Sequence, residues 1–298
     1  MKNILLGGEN GKLYKYSHES DKLTQVFRAG IGQTVMGLAG DSHHLYVGGS
    51  SAIFKLDRKS YTLISTSEQH STRNILGKRR KPDFHHMALH HGHLLVSGTY
   101  DNHIYLFDKE PKLQKKVKIQ PPNKYLPTIY KKNYNHLNSI WPHKGKYYIC
   151  LNWLNKQYGP SGVAVLDKHL NEIERYEKGW EAHKYCIIDG KEMELCGSSG
   201  TIKRVNHPHQ AGLLVDDTFL FEHYPDKYFC KDYSIDKKHI YIVGGSVEKR
   251  ENRRRTKGVL FVVDKESNEE VKRKEFSGTG GFRGCLLEGK DYTQPLQD

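Results

Sequence analysis

Apolar and polar positions alternate along this chain in short bursts: a β-rich run ends in small residues, turns, and a second β-rich run follows, often ending in Asp. The pattern appears as Asn3-Ile-Leu-Leu-Gly-Gly with Gly11-Lys-Leu-Tyr-Lys-Tyr, and as Leu45-Tyr-Val-Gly-Gly with Ala52-Ile-Phe-Lys-Leu-Asp57. It returns as Leu94-Leu-Val-Ser-Gly with His103-Ile-Tyr-Leu-Phe-Asp108, and as Tyr147-Tyr-Ile-Cys-Leu with Val163-Ala-Val-Leu-Asp167. Met193-Glu-Leu-Cys-Gly with Thr201-Ile-Lys-Arg-Val, and Ile240-Tyr-Ile-Val-Gly-Gly with Gly258-Val-Leu-Phe-Val-Val-Asp264, complete the series. Runs of β-branched and aromatic residues joined by Gly-containing turns predict successive hairpins. More polar segments after the Asp, such as Tyr61-Thr-Leu-Ile-Ser, predict outer strands facing solvent. Ahead of each pair lies another strand-length segment, read as an innermost strand: Thr34–Gly40, His85–His90, His136–Trp141, His183–Asp189, Cys230–Asp236 and Phe282–Glu288.

Copies at intervals of roughly 40–55 residues match the period of four-stranded blades. The repeat resembles that of β-propellers as a class, although no WD dipeptide or kelch signature accompanies it. The expected fold is therefore an all-β, six-bladed β-propeller, with residues 1–298 forming a single domain. The first blade lacks an inner strand at the N-terminus, and Gly281-Phe-Arg-Gly-Cys-Leu-Leu supplies one. Pairing the N- and C-terminal strands closes the ring and removes sheet edges that would template aggregation.

Composition adds a sign to this scaffold. The 298 residues carry 47 Lys+Arg against 34 Asp+Glu, a formal charge of +13, with no Pro/Ser-rich linker between segments. Such a field favours acidic partners: a small anionic substrate, or nucleic acid. Five cysteines without a CxxC pair read as reduced, buried thiols of an intracellular protein. The apolar part of Met1–Gly8 is too short for a leader, and no run approaches a membrane span. A cytoplasmic protein without a membrane partner is the expectation.

The candidate chemistry lies in the histidines. Aligning inner strands on the apolar residues Leu89, Ile140 and Ile187 places His85, His136 and His183 at matching positions, four residues earlier. Imidazoles from three neighbouring blades would then converge on a divalent transition metal, with iron, copper or zinc suited to such ligands. One residue of slip reverses a side chain's face, so His86 is the alternative to His85, and Cys230 or Asp232 is the equivalent in the next blade. Asn138 and Arg283 fall close enough to the axis to contact a substrate. A plainer reading is that these histidines hydrogen-bond across a water-filled channel. His43, His44, His90, His91, His93 and His143 fall at hairpin turns and read as surface.

Blade topology puts the starts of the inner strands on the same face as the loops between second and third strands. That face also receives the longest basic insertions: Ser67–Phe84 with Lys78-Arg-Arg-Lys, Lys118–Asn135 with Lys131-Lys132, and Val247–Lys257 with Lys249-Arg250 and Arg253-Arg-Arg. Arg253, Arg254, Arg255 and Lys78 are thus candidate substrate contacts, with Trp153, Tyr125, Tyr130, Tyr134 and Tyr158 as candidate floor residues. The expected function is a metal-dependent enzyme, oxidative or hydrolytic/lyase, acting on a small anionic substrate. In this general plan the chain resembles carotenoid-cleaving oxygenases and pectate-cleaving lyases, which place propeller histidines around iron or manganese. It is similar in blade number to lactonases of the gluconolactonase type, whose calcium site implies carboxylates and Asn, and acidic residues are few on these strands. The alternative is a non-enzymatic scaffold whose basic face binds nucleic acid or an acidic protein. Covalent catalysis by Cys230 would require a depressed thiol pKa. No nucleophile elbow, phosphate loop or dinucleotide fingerprint occurs, and Gly278-Thr-Gly-Gly-Phe-Arg-Gly reads as a turn into a strand.

Overall fold

Nearly continuous burial along the inner hairpins, as in Ile4–Gly8 and Gly162–Leu166, makes both faces of each sheet apolar, which only stacking against neighbouring sheets on both sides can cover. In the computed structural model the chain solves this with six four-stranded antiparallel sheets. The described residues are 3–73, 79–120, 134–154, 159–197, 211–223, 227–248, 252–289 and 291–294. Blade 1 orders its strands from the axis outward as Phe282–Leu287, Ile4–Gly8, Lys12–Ser17 and Lys22–Arg28. Blade 2 comprises Leu38–Gly40, His44–Gly48, Ile53–Asp57 and Leu63–Thr66; blade 3 comprises Phe84–His90, His93–Gly98, His103–Asp108 and Leu113–Lys118. Blade 4 follows with Leu137–His143, Lys146–Leu151, Gly162–Leu166 and Glu172–Glu177, and blade 5 with Ala182–Ile188, Lys191–Cys196, Gly212–Val215 and Thr218–Glu222. Tyr228–Ile235, His239–Ser246, Gly258–Asp264 and Glu270–Phe276 make blade 6. Each inner strand touches the inner strands of both neighbouring blades, so the ring is closed.

Closure follows the expected route. Ile4 pairs with Leu287, Leu5 with Leu286 and Leu6 with Cys285, which joins the N-terminal hairpin to the C-terminal inner strand. Phe282 is fully buried with Tyr16, Tyr241 and Leu260 between blades 1 and 6. Each such side chain contributes about 1.5–3 kcal/mol by burial. Ion pairs from Asp21 to Lys272 and Lys274 tie the outer strands of the same two blades together.

Three details depart from the expected strands. In blade 5 the partner of Lys191–Cys196 is Gly212–Val215, while the expected run Thr201-Ile-Lys-Arg-Val lies outside the described residues. The inner strand of blade 2 is only Leu38–Gly40, and residues 34–37 approach it as irregular chain. The connection from blade 2 to blade 3 adds a short two-stranded pair, Thr72–Arg73 with Arg79–Arg80. At the end of the ring opposite the basic loops, the chain after blade 1's inner strand turns under the channel. Asp291 accepts backbone hydrogen bonds from Ile235 (3.3 Å) and Leu287 (3.1 Å), and Thr293 is fully buried. Among the described residues no helix is long and apolar enough to cross a membrane. All five cysteines are buried and none forms a disulfide.

Candidate functional site at the propeller axis

Five inner strands begin with the same irregularity. The pairing register shifts between Phe84 and Met87, Leu137 and Ser139, Ala182 and Lys184, and Cys230 and Asp232, and blade 1 skips Arg283 between Phe282 and Gly284. A bulge leaves one residue out of the ladder and re-aims its side chain. In blade 3 the extra residue is His85, since His86 is held opposite Ser97, whose hydroxyl accepts from the His86 amide (3.1 Å). The bulged positions are thus His85, Asn138, His183, Lys231 and Arg283. Together with Met36 of blade 2, and with His86 and Asp232, they line one small axial cavity of about 10 Å³, room for a single water-sized group.

This ring corrects the sequence alignment. Asn138, rather than His136, is the equivalent of His85 and His183. His136 lies just before its strand, with φ of 52°, and its ring packs against His85 (5.6 Å between centroids) and Trp153 (5.1 Å). A two-residue slip preserves the strand face, so the apolar anchor Ile140 matched Leu89 when its structural partners are Met87 and Tyr185. Lys231 falls between Cys230 and Asp232, which flank the bulge, and a lone lysine in a strand carries no sequence signal of a site.

Those neighbours have other work. Cys230 is fully buried in the apolar layer with Tyr228, Ile242 and Phe261, and burial pushes its thiol pKa up, opposite to the depressed value that a nucleophilic thiol requires. The Asp232 carboxylate accepts from Lys184 Nζ (2.8 Å) and from the Tyr233 (2.8 Å) and Cys285 (2.7 Å) amides, which makes it a staple rather than an acid–base group. Asn138 does lie on the axis: its Nδ2 donates to the Ala182 carbonyl (2.6 Å), while its buried Oδ1 has no partner. His86 Nδ1 accepts from the Ile140 amide (3.4 Å), leaving Nε2–H of the neutral ring buried and unpartnered in the cavity wall.

The mouth is cationic. Lys231 Nζ sits 3.0 Å from His183 Nε2 and 3.3 Å from the Phe229 ring centroid, with the Arg253 guanidinium 5.5 Å from the same ring. Arg283 is held by Glu9, whereas no carboxylate lies within ion-pair distance of Lys231 among the described residues. Burial, then Arg283 and Arg253, lower the Lys231 pKa well below that of a free lysine, with Glu181 and Glu9 offsetting part of the effect. Burial likewise holds His85, His86 and His183 neutral, reinforced by nearby cations.

A three-histidine metal centre does not fit this arrangement. Lys231 occupies the Nε2 of His183, the nitrogen a metal would need, and Asn138 stands where the third imidazole was expected. Among the described residues no three His, Cys, Asp or Glu side chains group to hold a metal ion. The basic loops also divide. Arg253 faces Phe229 and the axis, while Arg255 lines a separate 480 Å³ depression with Lys227, Tyr228 and Lys257, and Arg254 is exposed. Trp153 is buried against His136, and Tyr134 donates to the Ile119 carbonyl (2.5 Å), so both anchor the rim. Lys78, Tyr125, Tyr130, Lys131, Lys132, Tyr158, Lys249 and Arg250 lie outside the described residues.

The ring as a whole is similar to a protein of unknown function from Bacteroides caccae, with a TM-score of 0.63, 11% identity, and 96% of this chain and 98% of that one covered. It is also similar to a chain in a crystal structure of a nidogen/laminin complex, with a TM-score of 0.60 at 11% identity and 96% and 98% coverage. At such identity the likeness is one of fold alone. No protein-family model matches the chain, and no curated protein matches it.

Proposed function

We propose that the axial mouth binds the anionic end of a small organic acid and that Lys231 and His183 transfer protons to and from it. The observation that carries this reading is the Lys231 amine, with no carboxylate in ion-pair distance among the described residues, held 3.0 Å from a neutral imidazole at the centre of a cationic ring. Arg283 and the unpartnered Nε2–H of His86 add donors around the same cavity. An incoming carboxylate satisfies charges that the protein leaves exposed to one another, and in so doing raises the Lys231 pKa toward its ordinary value. Binding therefore takes up a proton and weakens as pH rises. The cavity itself holds no more than a water-sized group, so one carboxylate oxygen reaches into it and the remainder of the ligand rests in the mouth.

Calorimetric titration with oxalate, in buffers of different ionisation enthalpy, tests the reading. Binding should be accompanied by proton uptake and weaken with added salt, and Lys231→Met should lower affinity by about tenfold or more, the worth of a charge-assisted hydrogen bond. Oxalate affinity unaffected by Lys231→Met would overturn it. So would tight binding of single-stranded RNA that ignores this substitution, because the functional surface would then be the outer basic loops.

A further inference from the structure

Three buried polar clusters outside ordinary strand pairing compete for attention. Around Asp232, Lys184 and Asp291 every charge is answered and the function is cohesion. Glu194 lies beside Cys196 with its Oε1 unpartnered, but its side chain is fully buried. The Lys231–His183 pair differs from both, since it stands at an opening and joins a potential nucleophile to a proton acceptor.

We infer that Lys231 forms an imine with the carbonyl group of a 2-oxo carboxylate seated in the axial mouth. The inference rests on the anion-binding reading above and deepens it to a substrate class. Its geometric basis is threefold. The amine is positioned by a strand bulge, its Nζ lies over the Phe229 ring, and His183 Nε2 lies at hydrogen-bond distance. Arg283 lines the same cavity, and although its Nε and Nη2 are taken by Glu9, its Nη1 can meet the carboxylate next to the reacting carbonyl.

The groups facing Lys231 come from several blades. Arg283 and Arg253 disfavour its protonated form, Glu181 and Glu9 favour it, and His183 accepts from it, so a neutral amine is accessible at lower pH than for a surface lysine. In the reaction the ammonium passes a proton to His183 Nε2, and the freed Nζ lone pair attacks the carbonyl carbon, forming a C–N bond. The carbonyl oxygen takes protons from His183 and from the nitrogen, and leaves as water as the C=N bond forms. Ammonium plus carbonyl yields protonated imine plus water, with no change of oxidation state.

The experiment uses glyoxylate with sodium cyanoborohydride, which reduces an imine to a stable secondary amine, followed by peptide mapping by mass spectrometry. Lys231 should be alkylated at least about tenfold faster than the exposed lysines. Lys231→Arg should remove that fast labelling while keeping the fold, checked by circular dichroism, and His183→Gln should slow labelling and shift its pH profile. Oxalate, which carries the charge without a reactive carbonyl, should protect Lys231. If oxalate binds but glyoxylate labels Lys231 no faster than surface lysines, the imine is overturned and the anion site stands. If oxalate fails to bind and no fast labelling occurs, both fall.

Discussion

Lys184 and Lys231 occupy neighbouring blades, one residue out of step with each other around the same kind of bulge, and their fates are opposite. Lys184 is 1% exposed and bonded to Asp232 (2.8 Å), the Tyr233 carbonyl (2.6 Å) and Thr293 Oγ1 (3.3 Å). Burial alone would lower its pKa, but Asp232 and Asp291 outweigh that and leave it raised. Lys231 meets an imidazole, an aromatic face and two guanidinium groups, and its pKa is lowered. The two pairs are cross-wired through adjacent residues: His183 takes Lys231, and Lys184 takes Asp232. A bulge sends the first member of each doublet to the mouth and the second into the channel, where a buried charge must be fully paired. One lysine is therefore structural and the other chemically available.

The channel side of this comparison depends on the closing strand, and removing it should have the largest effect. Deleting residues 281–298 takes away the partner of Ile4–Gly8 together with the Asp291–Thr293 turn beneath the channel. Insolubility or loss of a cooperative thermal transition is expected, from the exposed sheet edge and opened core. A melting curve like that of the full chain would show that ring closure contributes little.

The lysines themselves should separate next. Asp232→Ala leaves Lys184 charged and unpaired in the interior and should cost about 3–5 kcal/mol in chemical denaturation. Lys231→Met removes a poorly compensated cation and should change stability by less than about 1 kcal/mol, or increase it. Equal destabilisation by the two substitutions would erase the distinction between a structural and an available lysine.

A smaller, pH-dependent contrast separates the mouth from the layer between blades 4 and 5. Burial raises the Glu194 pKa to about 8 from an ordinary 4.5, so between these values the unfolded chain gives up a proton that the folded one keeps. Its contribution to stability falls as pH rises through that window, by at most about 1.4 kcal/mol per pH unit. The axial histidines act in the other direction: their pKa values are lowered from 6.5, so stability is lost as pH falls below that value. Glu194→Gln should flatten the decline between about pH 5 and about pH 8 in urea denaturation, leaving the acid-side loss in place. A decline unchanged by the substitution would mean that Glu194 ionises normally in the folded protein.

Strand pairing was legible in five blades because each repeats the same apolar hairpin, as at Leu45–Gly48 and Ile240–Gly245, whereas in blade 5 the partner of Lys191–Cys196 is Gly212–Val215, a run the repeat did not single out. Closure by Phe282–Leu287 was legible too, since a first blade without an inner strand needs one from elsewhere. Candidate residues at the axis were legible only as a zone: His85, His86, Asn138, His183 and Arg283 all reach the cavity, but as a cationic ring rather than a metal cage.

Local sequence determined which segments become strands and which ends of them bear polar residues, because side-chain alternation and turn chemistry act over a few residues. Register at the bulges was decided only by the tertiary structure. An extra residue has no signature in an alternating pattern, and where it falls depends on how each inner strand meets its partner in the ring. That choice put Lys231 at the mouth between Cys230 and Asp232, moved His136 off the axis in favour of Asn138, and set the Lys231 amine beside His183.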